Sequence, residues 1–124
     1  MPALHSAASR GDTAKVLTIL GKGGTDINVP ARGRTPLYLA ANNDRIETVK
    51  ALLARGADPN APDGRAAALH SAAYYGYVEV AKLLIAAGAN VNAVDSVGSP
   101  VLFDALITGR ADMAALLLDS GADI

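Results

Sequence analysis

The side chains best suited to chemistry are the two histidines, each of which is followed by a serine. His5 with Ser6 and His70 with Ser71 combine a base with a nucleophile. Adjacent residues on a helix point about 100° apart, so neither ring faces its neighbouring hydroxyl. The chain has no cysteine, and two distant histidines do not form a helical metal-binding pair. We therefore expect no catalytic residue, no metal and no cofactor.

The elements that carry these residues recur along the chain. The motif Leu-His-Ser-Ala-Ala occurs at residues 4–8 and again at 69–73. Its leucine recurs with spacings of 33, 32 and 33 residues, at Leu4, Leu37, Leu69 and Leu102. A period this constant predicts one supersecondary unit stacked four times in a single domain covering residues 1–124. The predicted repeats span about 1–29, 30–61, 62–93 and 94–124.

Composition narrows the class of partner. The formal charge of −1 gives no electrostatic basis for binding nucleic acid or an anionic membrane. No stretch approaches the roughly 20 apolar residues of a membrane span, and Met1 and Pro2 lead into the first repeat without a signal-type segment. We therefore expect a soluble cytoplasmic protein that binds neither nucleic acid nor membrane.

Each repeat carries the signals of two helices. In the second repeat, Thr35 can cap a short helix with its hydroxyl, and Pro36 suits the first helical position. The helix that follows has a one-sided apolar stripe and ends near Gly56. So small a pair of helices cannot bury its own apolar face, so neighbouring pairs must stack.

With these motifs, the chain resembles the ankyrin repeat family. The matching segments are TPLYLAA (35–41), the two LHSAA copies, RGADPNA (55–61), AAGANVNA (86–93) and SGADI (120–124). The resemblance implies an all-α solenoid of four helix-loop-helix units with connecting hairpin loops. It also implies a non-enzymatic scaffold for protein–protein interaction, which binds through its hairpin tips and the inner face of its first helices.

Some positions depart from the family pattern. Asp44 replaces the glycine that follows the first helix in the other repeats, and Asp tolerates a left-handed backbone. The third repeat reads Ala66-Ala67-Ala68 where Thr and Pro are expected, which predicts a lost cap. In the fourth repeat, Ser99 and Pro100 are predicted to supply the cap one position early.

Variable positions indicate the binding surface. Tyr74 and Tyr75 follow the Ala pair of the third repeat, and Tyr77 lies nearby; the alternative is that Tyr77 packs on its own repeat and only one of the other two is free. Residues 1–65 hold nine basic against six acidic side chains, and basic hairpin tips could meet an acidic partner or could simply be solvated. The predicted partner-binding residues are Arg32, Arg34, Asn42, Asn43, Arg65, Tyr74, Tyr75, Tyr77, Ser99 and Ile107.

Two columns of equivalent residues give structural hypotheses. The column His5, Tyr38, His70, Phe103 replaces histidine with aromatic rings, which favours a structural, hydrogen-bonded role for both histidines. Asp104 occupies a normally apolar column, where burial of a carboxylate is costly. We expect Ser71 to donate a hydrogen bond to it, or solvent to reach it, in preference to a functional role.

The last repeat carries apolar residues where a terminal repeat needs a polar face. They are Val101, Phe103, Leu106, Ile107 and Met113. Three interpretations stay open: a segment of a longer repeat array, a monomer that self-associates weakly through this repeat, or a frayed natural end.

Overall fold

The computed structural model of the chain describes residues 2–61 and 68–123. Within these residues, eight helices form four pairs, one pair in each repeat. The first helices are α1 (Ala3–Arg10), α3 (Pro36–Asn42), α5 (Ala68–Tyr75) and α7 (Val101–Ile107). The second helices are α2 (Thr13–Gly21), α4 (Ile46–Ala54), α6 (Val78–Ala86) and α8 (Ala111–Asp119). The predicted all-α solenoid is confirmed.

The helices form two layers. The first helices pack on one another in chain order, the second helices do the same, and each pair also packs internally. Ala8, Ala41 and Ala73 occupy the same position of successive first helices and are fully buried. Since alanine is small, these first helices can pack at close range, which suits a core built almost without aromatic rings.

Local sequence explains how α3 and α7 begin. Thr35 caps α3, since its Oγ1 accepts a hydrogen bond from the Tyr38 amide at 3.1 Å, and Pro36 is the first helical residue. The prediction that Ser99 caps α7 is wrong. Pro100 occupies the N-cap position, and no side chain accepts a hydrogen bond there within the described residues, because proline has no acceptor to offer.

The remaining cap predictions have different outcomes. Asp44 has a φ of 57°, the left-handed conformation that was expected in place of glycine. The lost cap of the third repeat was predicted at Ala66-Ala67-Ala68; Ala68 is the first residue of α5, and the other two lie outside the described residues, so the prediction is untested.

The second-helix layer corrects one prediction about the last repeat. Met113 is fully buried, although its apolar side chain was expected on the outer face. It occupies the column of Thr48 and Val80, which are also buried. Thr48 Oγ1 lies 2.7 Å from Thr13 Oγ1 on α2, so this column faces the preceding second helix and not the end of the stack.

In α7, the first helix of the last repeat, some of the apolar residues predicted on the outer face are buried and others are exposed. Val101, also expected on the outer face, is fully buried and that prediction is wrong. Phe103, Leu106 and Ile107 are exposed as predicted, with Leu106 at 60%. Leu106 takes the position of the buried alanines of α1, α3 and α5, and within the described residues no element packs over it.

Candidate functional site

The candidate site is the exposed side of α3, α5 and α7, which we call the first-helix face; its outward residues are Asn42, Tyr74, Tyr75 and Ile107. Ala72 and Ala73 take the buried positions of α5, so the two tyrosines that follow them turn towards solvent. The side chains of Tyr74 and Tyr75 are 46% and 45% exposed. The third repeat therefore presents two large rings in the middle of the stack.

The three tyrosines of this repeat contact one another. The rings of Tyr74 and Tyr75 meet edge to face with centroids 5.1 Å apart, and Tyr75 stacks on Tyr77 at 5.5 Å. Tyr77 is half-buried and packs against the core. The alternative interpretation was thus right about Tyr77 but wrong about the other two, because both remain exposed.

An open pocket of about 250 Å³ lies beside these rings. It is formed by three first helices together with the hairpin loop before α7. Its lining residues are Tyr38, Asn42, His70, Ser71, Tyr74, Tyr75, Asp95 and Asp104. We call it the α5 pocket.

The asparagines of α3 have partners inside the protein. Asn43 donates through Nδ2 to the carbonyl oxygen of Leu39 at 2.8 Å and to Ser9 Oγ at 3.2 Å, so it ties α3 to α1. Asn42 accepts a hydrogen bond from Ser71 Oγ at 3.1 Å. The hydroxyl of Ser71 therefore serves Asn42, and the expectation that it donates to Asp104 is wrong.

Two carboxylates stand in the α5 pocket in different environments. Burial is the main cause that raises the pKa of Asp104 above its ordinary value; His70 opposes the shift and Asp95 adds to it. Hydrogen bonds to Asp95 Oδ1 from the amides of Ser99 at 2.9 Å and Val97 at 3.0 Å hold the loop, and chiefly the Ser99 bond lowers the pKa of Asp95. The side-chain carboxylate of Asp104 makes no hydrogen bond within the described residues, although its backbone carbonyl oxygen accepts one from Thr108 Oγ1 at 2.8 Å.

No cation of the described residues pairs with either carboxylate. The ion pairs found there lie on second helices, Glu47 with Lys50 and Glu79 with Lys82. The α5 pocket is therefore acidic and open, and neither of its carboxylates forms an ion pair within the described part of the chain.

Both histidines have the structural role that was predicted. They are buried, and Nε2 lies 2.7 Å from the Val29 carbonyl oxygen for His5 and 3.3 Å from that of Ser99 for His70. Each bond joins a first helix to the loop that leads into the next first helix in the stack. Among the described residues, no group of three potential ligands could hold a metal ion.

Of the two hairpins that carry predicted arginines, the structure describes the one before α3 but not residues 62–67 before α5. Arg34 lies over the Tyr38 ring at 5.2 Å from its centroid, which places a guanidinium near the α5 pocket. Arg32 is exposed with a φ of 54°. Arg65 lies outside the described residues, so its predicted place beside these arginines is untested.

Sequence reasoning missed Asp95 and Val97 in the hairpin before α7. Asp95 lines the α5 pocket, and Val97, at the position of Arg32 in the second repeat, is 82% exposed at the tip. Val97 could have been found from the sequence, because an apolar residue at the predicted tip of a hairpin is expected to be exposed.

Comparison with known proteins agrees with the architecture. A model of the family described as ankyrin repeats (3 copies) matches residues 1–63 and 63–124. The search of curated proteins returned no match. No helix within the described residues is long and apolar enough to cross a membrane. Since the family match spans the whole chain and the helix pairs stack as that family's repeats do, the chain belongs to the ankyrin repeat family.

Proposed function

We propose that this protein is a non-enzymatic protein-binding module that docks its partner on the first-helix face, centred on Tyr74 and Tyr75. Ankyrin repeats are generally protein–protein interaction modules. The observation that carries the proposal is the pair of half-exposed tyrosine rings in the middle of the stack. Tyrosine supplies large contact area at low entropic cost and is enriched among residues that dominate binding energy.

The surroundings support the same surface. Ile107 continues it towards the last repeat, and Asn42 continues it towards the second. In this proposal Arg32, Arg34 and Arg65 form a charged rim at the hairpins, which acts on association rate and salt dependence. Ser99 lies at the wall of the same surface, where its carbonyl oxygen holds His70.

Asn43 and Tyr77 have indirect roles in this proposal. Asn43 fixes α3 against α1, and Tyr77 supports the ring of Tyr75 from below the surface. We propose a cytoplasmic scaffold with no catalytic activity, no cofactor and no nucleic-acid or membrane ligand. The half-exposed tyrosines and the near-neutral charge support that class of partner.

The test is to isolate a partner with the full chain and to measure its affinity for the Tyr74→Ala, Tyr75→Ala double variant. We expect affinity to fall by about 2 kcal/mol or more, the scale of dominant interface residues. The matched control is Phe103→Ala, which removes another half-exposed ring at the end of the stack. A complex in which the partner touches only second helices, with both tyrosines in water, contradicts the proposal.

A second candidate function, self-association through the C-terminal repeat, is favoured by the exposed apolar end of the stack. Phe103, Leu106, Ile107 and Leu118 are all exposed there. Several exposed apolar side chains on one repeat are typical of an interaction site. Leu106→Lys should abolish concentration-dependent association in light scattering while leaving the fold intact, whereas Met113→Lys should unfold the repeat. Light scattering that shows only monomer at every concentration contradicts this candidate.

A further inference from the structure

The α5 pocket has the chemistry of a cation-binding site. Two carboxylates, Asp95 and Asp104, face it together with the rings of Tyr38, Tyr74 and Tyr75. Aromatic faces and carboxylates both attract a positive group, and the attraction strengthens where water is partly excluded. Its volume of about 250 Å³ is below the roughly 300–1,000 Å³ typical of drug-sized ligand sites, so it suits one long side chain.

One residue that lines the pocket, His70, has a buried ring nitrogen without a hydrogen-bond partner. His70 is 3% exposed, and its Nε2 donates to the carbonyl oxygen of Ser99 at 3.3 Å. Its Nδ1 makes no hydrogen bond within the described residues. The same atom of His5 is also without a partner, so this feature is common to both buried histidines. His70 differs in lining a pocket together with two carboxylates.

We infer that the α5 pocket accepts the guanidinium group of an arginine side chain presented by the protein partner. A guanidinium offers only donors, can take a carboxylate in bidentate fashion and stacks on aromatic faces. The protein already shows this stacking, since Arg34 lies over Tyr38 at 5.2 Å. The inference rests on the proposed function, because it specifies what the partner inserts beside Tyr74 and Tyr75.

Charge distribution favours an arginine from outside over a cation supplied by the third or fourth helix pair. Residues 66–124 contain only two basic side chains, Lys82 and Arg110. Lys82 pairs with Glu79 at 3.7 Å, and the Arg110 side chain lies against Gly76. Burial keeps the Asp104 carboxylate in an unfavourable environment, reflected in its raised pKa, and an incoming cation relieves that cost.

The experiment titrates the full chain, labelled with ¹⁵N, with the capped tripeptide acetyl-Gly-Arg-Gly-amide and follows the amide resonances. The matched probe contains citrulline, which keeps the shape and lacks the charge. We expect saturable shifts in α5, in α7 and around Asp95 with the arginine peptide only, weakening as salt rises. Equal shifts with citrulline, or no saturable shift in this pocket with arginine, overturn the inference.

Two variants locate the site. Asp104→Asn should weaken the arginine peptide about tenfold, as expected for loss of one partly desolvated charge contact. Asp119→Asn makes the same charge change at an exposed residue of α8 and should have no effect. Unchanged affinity in Asp104→Asn, with the fold verified by circular dichroism, overturns the inference.

The partner complex separates this inference from the proposed function. A partner that is weakened by Tyr74→Ala and Tyr75→Ala but not by Asp104→Asn sustains the proposed function and overturns the arginine assignment. A partner whose affinity is unchanged in the Tyr74→Ala, Tyr75→Ala double variant overturns the proposed function, and the partner arginine with it. Saturable binding of the arginine peptide would then support only the affinity of the pocket for a guanidinium.

Discussion

Helices α3 and α7 occupy the same position in their repeats and have the same length. They differ in how they begin and in how many of their equivalent side chains are buried. α3 begins with a threonine cap, buries Leu39 in the second-leucine column and buries Ala41 against α5. At the matching positions α7 has Pro100, the half-buried Asp104 and the exposed Leu106. Repeat spacing thus determines where a helix forms, whereas the helices packed against it determine which of its side chains are buried.

The difference shows where a repeat protein can place functional groups. Inside the stack, every position that faces the next repeat is restricted by its partner helix. At α7 that restriction is relaxed, and residues that weaken the fold are tolerated there. This agrees with the general trade between stability and functional sites. Exchanging matched residues between the two helices therefore tests the comparison directly.

The largest effect is expected for Leu39→Asp, which gives α3 the residue of α7. Leu39 is 6% exposed, so the variant loses apolar packing and forces a carboxylate into the interior. We expect the free energy of unfolding to fall by about 3 kcal/mol or more in urea titration. Leu39→Ala separates lost packing from buried charge, and the reverse exchange, Asp104→Leu, should stabilise the protein. A loss no larger than that of Leu39→Ala would show that water reaches this column throughout the stack.

The next effect concerns Ala41 and Leu106. Ala41→Leu places the larger side chain in a fully buried contact between α3 and α5 and should cost about 2 kcal/mol through overpacking. Leu106→Ala removes the same atoms at an exposed position and should change stability by less than about 0.5 kcal/mol. Thermal melting of both variants measures the contrast. Similar losses in the two would mean that Leu106 is covered in solution, as self-association would cause.

A smaller difference separates the two helix starts. Thr35→Ala removes the oxygen that accepts from the Tyr38 amide and should cost about 1 kcal/mol. Pro100→Thr should gain less than half of that, because the Phe103 amide already donates to the Pro100 carbonyl oxygen at 3.0 Å. Urea titration of both variants decides it, and a gain as large as the Thr35→Ala loss would show that this existing bond adds little.

The regular part of the structure was predictable from sequence, and the particular contacts were not. Thr35 and Asp44 behave as predicted, because capping and a left-handed backbone depend on local chemistry. The histidines do so because a buried polar ring needs a hydrogen-bond partner, although the sequence did not identify that partner. Met113 was assigned to the wrong side because its direction depends on which neighbouring helix its column faces. The repeat period shows which residues are equivalent, but it does not show which neighbouring helix their side chains face.

The site was predictable to a similar extent. Tyr74 and Tyr75 were identified from their variable positions, and both are exposed. The α5 pocket was not predicted, because it joins Asp95 in one hairpin to Asp104 and to helices of two earlier repeats. The hydrogen bond of Ser71 was also missed, since Asn42 and Asp104 are in neighbouring repeats on opposite sides of it and sequence cannot rank the two partners.

The smallest expected effect is on the melting midpoint at pH 7, which should rise when Asp104 is replaced by Asn and fall when Asp95 is. Burial raises the pKa of Asp104 in the folded protein, so its favourable contribution is present below the ordinary value of 3.8 and is lost as pH rises through the folded pKa. Asp104→Asn should therefore raise the melting midpoint at pH 7, by less than about 1 kcal/mol in stability because the group is partly solvated, and should lose this advantage in acid.

The pKa of Asp95 is lowered, so its contribution is present above 3.8 and is lost as pH falls through the folded pKa. Asp95→Asn, which keeps an oxygen for the Val97 and Ser99 amides, should accordingly lower the midpoint at pH 7. Thermal melts of both variants at pH 7 and in acid test the pair, and a shift of the same sign at pH 7 would contradict the assignment of Asp104 as the carboxylate that the fold holds at a cost.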